Sequence, residues 1–157
     1  MTLTRRAFAS RVFAGLATAA LVSACGRREA DSRSAQYAGN TPQMQALIRK
    51  YAQIYDMPES LIHRVVQRES GYNPGARNGA YYGLMQILPE TARTMGYRGT
   101  PSGLLDAETN LRYAGKYLRG AWLVSRGSES RAVMWYAKGY YYEAKRLGLL
   151  EETGLRA

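Results

Sequence analysis

The chain has little with which to stiffen itself covalently or through a metal. Its 157 residues include one cysteine, Cys25, and one histidine, His63. A single cysteine excludes an intramolecular disulfide in any compartment. A lone histidine with no ligand cluster beside it gives no support for a metal site, and no cofactor is expected. His63 falls off the apolar stripe of its helix and reads as a partly exposed side chain. Phenylalanine is also scarce, with two residues against thirteen tyrosines, so most of the aromatic surface carries a hydroxyl. Acids are outnumbered, 12 to 22, which leaves a formal net charge of +10. That balance favours polyanionic partners: nucleic acid, anionic lipid or an acidic cell-wall polymer. The basic residues are scattered over the helices and not gathered on one recognition face, which argues against nucleic acid. The apolar run at residues 12–24 is too short to span a bilayer, which takes about 20 residues.

What that run does suit is the core of an export signal. Arg5, Arg6 and Arg11 are the only charges before it, and "TRRAFAS" (4–10) resembles a twin-arginine signal; an ordinary secretory leader is the alternative. Cys25 ends the run. Val22-Ser23-Ala24-Cys25 resembles a bacterial lipoprotein box, with Cys25 acylated after cleavage before it, and Gly26 in place of an aspartate gives no signal for retention in the inner membrane. The expected organisation is an export signal at 1–24, a lipidated Cys25 with a flexible tether over 25–41, and a folded domain over 42–157. The expected location is the periplasm, anchored to the outer membrane.

From Pro42 the pattern becomes helical. Thr41 can cap a first helix, with Met44, Leu47, Ile48, Tyr51 and Ile54 or Tyr55 on one face. Asp56-Met57-Pro58 breaks it, and a second helix is expected over about 59–69, with Leu61, Ile62, Val65 and Val66 inward. A short helix at 90–95 opens at Pro89 and closes at Gly96. Asp106 caps a long one whose stripe is Leu111, Ala114, Leu118 and Ala121 or Trp122. Ser128 caps another through Tyr136, and 140–147 forms the last. No long strand is expected, only a small hairpin within 79–87. The fold class is mainly α.

Glu69 lies seven residues beyond Ile62, four beyond Val65 and three beyond Val66, on the core-facing side at the end of its helix. Gly71 and Asn73-Pro74 end the helix and open space beyond the carboxyl. Desolvation and the negative end of the helix dipole both raise its pKa, as a general acid requires. A surface pairing with Arg68 or Arg77 is the plainer alternative. The loop that follows supplies glycines for close approach, Gln86 for hydrogen bonds to hydroxyl or acetamido groups, and Tyr72, Tyr81 and Tyr82 as aromatic faces with polar tips. Met85 is expected to line the cleft. Tyr51, Tyr55, Tyr113 and Tyr117 read mostly as core residues.

These residues carry a family resemblance. Glu69-Ser70, "GYNPGARN", "GLMQI" (83–87) with Pro89, Thr91 and Ala92, and "NLRYAGKYL" (110–118) resemble, in order, the lysozyme-like catalytic domain of the soluble lytic transglycosylases. The resemblance runs from about residue 42 to 147. It departs at "WYAKG" (135–139), where Tyr136 and Gly139 are kept but Ala137 and Lys138 replace the family's usual asparagine and alanine. The resemblance implies a lysozyme-like fold, peptidoglycan as substrate, and cleavage between N-acetylmuramic acid and N-acetylglucosamine with a 1,6-anhydro product. Glu69 would serve as the single acid and then base, with Ser70, Gln86 and Tyr136 orienting it and the acetamido groups. Two other readings stand beside this one. A hydrolytic muramidase would want a second carboxylate across the cleft, and a wall-binding or envelope-assembly protein would keep the fold without turnover.

Overall fold

The computed structural model describes residues 39–156. The expected export signal, Cys25 and most of the tether fall outside them. The described chain is mainly α-helical with one small antiparallel hairpin, consistent with the lysozyme-like fold expected. Among the described residues, no helix is long and apolar enough to cross a membrane.

Helix α1 (Pro42–Ile54) starts as its sequence dictates. The Thr41 hydroxyl accepts from the Met44 amide at 3.2 Å, and Pro42 occupies a first-turn position where its missing N–H costs nothing. Met44, Ile48 and Tyr51 face inward, while Ile54 is 56% exposed, so Tyr55 continues the buried face in its place. Helix α2 (Glu59–Ser70) buries Leu61, Ile62, Val65 and Val66. It stops at Gly71, whose φ of +57° is a left-handed cap that glycine adopts without steric cost.

The hairpin pairs β1 (Arg77–Asn78) with β2 (Tyr81–Tyr82), Asn78 opposite Tyr81. It begins two residues earlier than the glycines alone imply. Helix α3 (Pro89–Thr94) ends near Gly96 as expected. A 3₁₀ turn at Pro101–Leu105 was not legible as an element. It has no apolar period; Leu104, fully buried, anchors it, and the Gly103 amide closes it on the Thr100 carbonyl at 2.9 Å.

Helix α4 (Ala107–Ser125) is the spine. Asp106 caps it by accepting from the Thr109 amide at 2.8 Å, and that bond holds the Asp106 carboxyl below its ordinary pKa. Its inward stripe of Leu111, Ala114, Leu118 and Ala121 is fully buried. Each such leucine contributes about 1.5–3 kcal/mol by leaving water. Against α4 pack α1, α3, the 3₁₀ turn, α5 (Glu129–Lys138) and α6 (Tyr141–Leu147). Ser128 caps α5 through the Arg131 amide. The rings of Tyr136, Tyr117 and Tyr140 form a continuous aromatic run, with neighbouring centroids 5.5 and 4.8 Å apart. It seats the C-terminal end of α5 on α4, beside the end of α2.

Candidate active site

The last turn of α2 carries Glu69 out of the core stripe and into a cleft of about 380 Å³. Its side chain is 23% exposed, with the Arg68 guanidinium 3.4 Å away. Desolvation raises the Glu69 pKa above the ordinary carboxyl value, and the positive charge of Arg68 opposes that rise without cancelling it. The carboxyl is therefore biased toward its protonated form. Asn78, Tyr81, Gln86, Tyr136 and Ala137 complete the cleft wall.

The wall opposite α2 is the loop 83–87, held by side chains and backbone turned inward. Gly83 has φ of +75°, and a Cβ there would lie 2.3 Å from both Asn110 Nδ2 and the Leu104 carbonyl. Only glycine fits. Gln86 also adopts positive φ, +48°, and its amide donates to the carbonyls of Gly83 (2.8 Å) and Ala76 (3.1 Å). Asn110, fully buried on α4, donates to the carbonyls of Tyr82 (2.9 Å) and Leu104 (2.8 Å) and accepts from the Met85 amide (2.9 Å). From the other side the Tyr136 hydroxyl donates to the Met85 carbonyl at 2.8 Å. Its own pKa is pushed far up, first by burial and then by the negative charge of Glu69. Tyr136 thus stays neutral and sits close enough to Glu69 to feel it. A second lobe of about 270 Å³ shares Tyr81, Gln86, Tyr136 and Ala137 and extends past Tyr117 to Lys138.

Of the residues singled out by sequence, the fold brings Glu69, Gln86 and Tyr136 together. It does not bring Met85 to the surface. That expectation is corrected: the Met85 side chain is fully buried, because its alternation with Gln86 turns it into the core, and only its backbone serves the loop. Ser70 does not line the cleft either; its hydroxyl donates back to the Val66 carbonyl within α2, at 3.2 Å. Tyr72 is buried too, with its hydroxyl 2.9 Å from His63 Nδ1, and so leaves the cleft aromatics to Tyr81, Tyr117 and Tyr136. Sequence reasoning gave Asn110 no role. A signal existed, since an asparagine four residues before Ala114 and eight before Leu118 lies on the buried face of α4, where a polar group requires partners.

Most of the other described carboxylates are occupied elsewhere. Glu59 meets His63 and Arg49, Glu108 meets Lys50 and Tyr51, and Glu143 meets Arg146. Asp56 lies near Arg119, Glu90 near Arg93, and Glu129 accepts from Ser60. Among the described residues, Glu69 is the sole acid lining either lobe. No group of three or more His, Cys, Asp or Glu is placed there to hold a metal ion.

The family model described as "Transglycosylase SLT domain" matches residues 46–148. The chain belongs to this transglycosylase SLT domain family. Glu69, the loop around Gly83 and Gln86, and Tyr136 all lie inside the matched span. Among similar proteins is a membrane-bound lytic murein transglycosylase C of Haemophilus influenzae strain PittEE. It is 45% identical over 80 residues, covering 46% of this chain and 22% of that protein. Proteins of the same name from strains PittGG and 86-028NP are 42% identical over 80 residues, with the same coverage. The matched region thus spans about a fifth of the length of these relatives.

Proposed function

We propose that this chain is a peptidoglycan lytic transglycosylase, cutting the β-1,4 bond between N-acetylmuramic acid and N-acetylglucosamine. The observation that carries the reading is a half-buried, protonation-biased Glu69, the sole acid among the described cleft residues, facing a loop held in place by Asn110 and Tyr136. Membership of the SLT family and the names of the relatives support it.

In the proposed reaction, Glu69 gives its proton to the glycosidic oxygen as the bond from muramoyl C1 to that oxygen breaks. The oxocarbenium-like centre at C1 is met by the carbonyl oxygen of the substrate's own 2-acetamido group. That internal attack replaces the second carboxylate of ordinary glycosidases. Glu69, now a carboxylate, takes the proton from the muramoyl C6 hydroxyl, and O6 attacks C1, releasing the acetamido oxygen. The product is a 1,6-anhydro end, no water is consumed, and Glu69 ends protonated as it began. The attack is intramolecular, so its effective concentration is high. Gln86 and the Tyr136–Met85 bond hold the wall against which the sugar is oriented. Export to the envelope with a lipid on Cys25 would deliver the domain to this substrate and leave it tethered to a membrane.

The test is release of muropeptides from purified sacculi by the wild-type chain and by Glu69→Gln. Glutamine keeps the shape and loses the proton, so turnover is expected to fall at least about a thousandfold while sacculus binding persists. Equal turnover by the variant removes Glu69 from the mechanism. Binding without release by the wild type makes this a wall-docking protein.

A further inference from the structure

Lys138 occupies the last position of α5, on the rim of the second lobe, with Tyr117, Tyr136 and Leu88 among its neighbours there. It replaces a small residue of the resembled motif, so the lobe has gained a charge. Among the described residues lining the two lobes, only Arg68 and Lys138 are cationic, and Arg68 is already 3.4 Å from Glu69. Lys138 makes no hydrogen bond or ion pair with any described residue, and its lobe contains no acid. A lysine in a last helical turn gains a little from the helix dipole, but that leaves its three donors free.

We propose that Lys138 is a specificity-determining residue that takes a carboxylate of the glycan strand lying through the second lobe. This rests on the function proposed above. The sugar backbone is neutral, so the anions such a strand brings are the carboxylate of the muramoyl lactyl ether or those of the peptide attached to it. An ammonium at the rim of an otherwise uncharged, tyrosine-walled lobe discriminates between strands with and without that charge. A neutral side chain there would not.

The experiment measures binding to the full chain carrying Glu69→Gln, so that nothing is turned over. The probes are soluble glycans of two disaccharide repeats in three forms: with peptides whose carboxylates are free, with the same peptides amidated, and without peptides, so that the lactyl carboxylate is free. Lys138→Met is expected to weaken binding of a free-carboxylate form about three- to tenfold and to erase its preference over the amidated form. Lys138→Arg is expected to keep that preference. If the peptide-bearing form carries the effect, the peptide is the source of the anion; if the peptide-free form does, the lactyl group is. Equal affinity of Lys138→Met and its parent for all three forms overturns the inference while leaving the proposed activity standing. No binding of any form to the parent, with no release from sacculi by the wild type, overturns both.

Discussion

Glu69 owes its chemistry to two neighbours of opposite effect, the low-dielectric wall that disfavours its anion and the Arg68 guanidinium that favours it. The wall wins. An acid whose folded pKa is raised binds its proton more tightly in the native state than in the unfolded chain. Its contribution to stability is therefore complete below the unfolded carboxyl value and is lost as pH rises through the folded one. At any pH above the unfolded value, the reluctance of the partly desolvated carboxyl to ionise costs the native state something. Glu69→Gln is accordingly expected to raise the melting temperature at pH 7, with the difference narrowing toward pH 4; a variant less stable than wild type at pH 7 contradicts this. The same shift is expected to place the alkaline fall of turnover above the ordinary carboxyl value of 4.5, since the proposed first step needs the protonated acid. A pH–rate profile on sacculi measures it, and a fall at or below 4.5 would show that Glu69 is not the proton donor.

At the scale of elements, the loop 83–87 is the part on which the site depends most. It is held by Asn110 of α4 and Tyr136 of α5 acting on consecutive backbone groups. Gly83→Ala would push a Cβ into Asn110 and the Leu104 carbonyl at a left-handed φ. Loss of about 2–4 kcal/mol is expected, read as a lowered urea midpoint, with activity falling further than the unfolded fraction explains. A midpoint within error of wild type would show that the loop has room. Elements of this kind were legible to different degrees. Thr41, Asp106 and Ser128 announce helix starts because a cap is a local contract between neighbours, and all three accept the expected amide bonds. The phase of Glu69 relative to Val65 and Val66 was legible for the same reason, since helical spacing alone sets it. The interior of the loop was not. Whether Met85 or Gln86 faces the cleft depends on the positive φ at Gln86, and whether Tyr72 joins the site depends on a hydroxyl contact to His63 across α2. Both are tertiary facts that no local pattern encodes.

For the whole molecule, a charge of +10 acts at a distance that single pairs do not. Most described acids are matched to a nearby base, so the surplus of positive charge is left to attract an anionic polymer such as the proposed substrate. Binding of the chain to sacculi is expected to weaken severalfold between about 0.05 and 0.5 M salt, as the Debye length shrinks from above ~10 Å to a few Å. A salt-independent affinity would place recognition wholly in the uncharged part of the cleft. In the proposed reaction one carboxyl suffices because the substrate supplies its own nucleophile. Digestion of sacculi in ¹⁸O-labelled water, with the released muropeptides weighed, tests this. The expected products carry 1,6-anhydro ends, one water lighter than hydrolysis products and free of label; reducing ends carrying ¹⁸O would overturn the mechanism and require a second catalytic group that the described residues of the cleft do not supply.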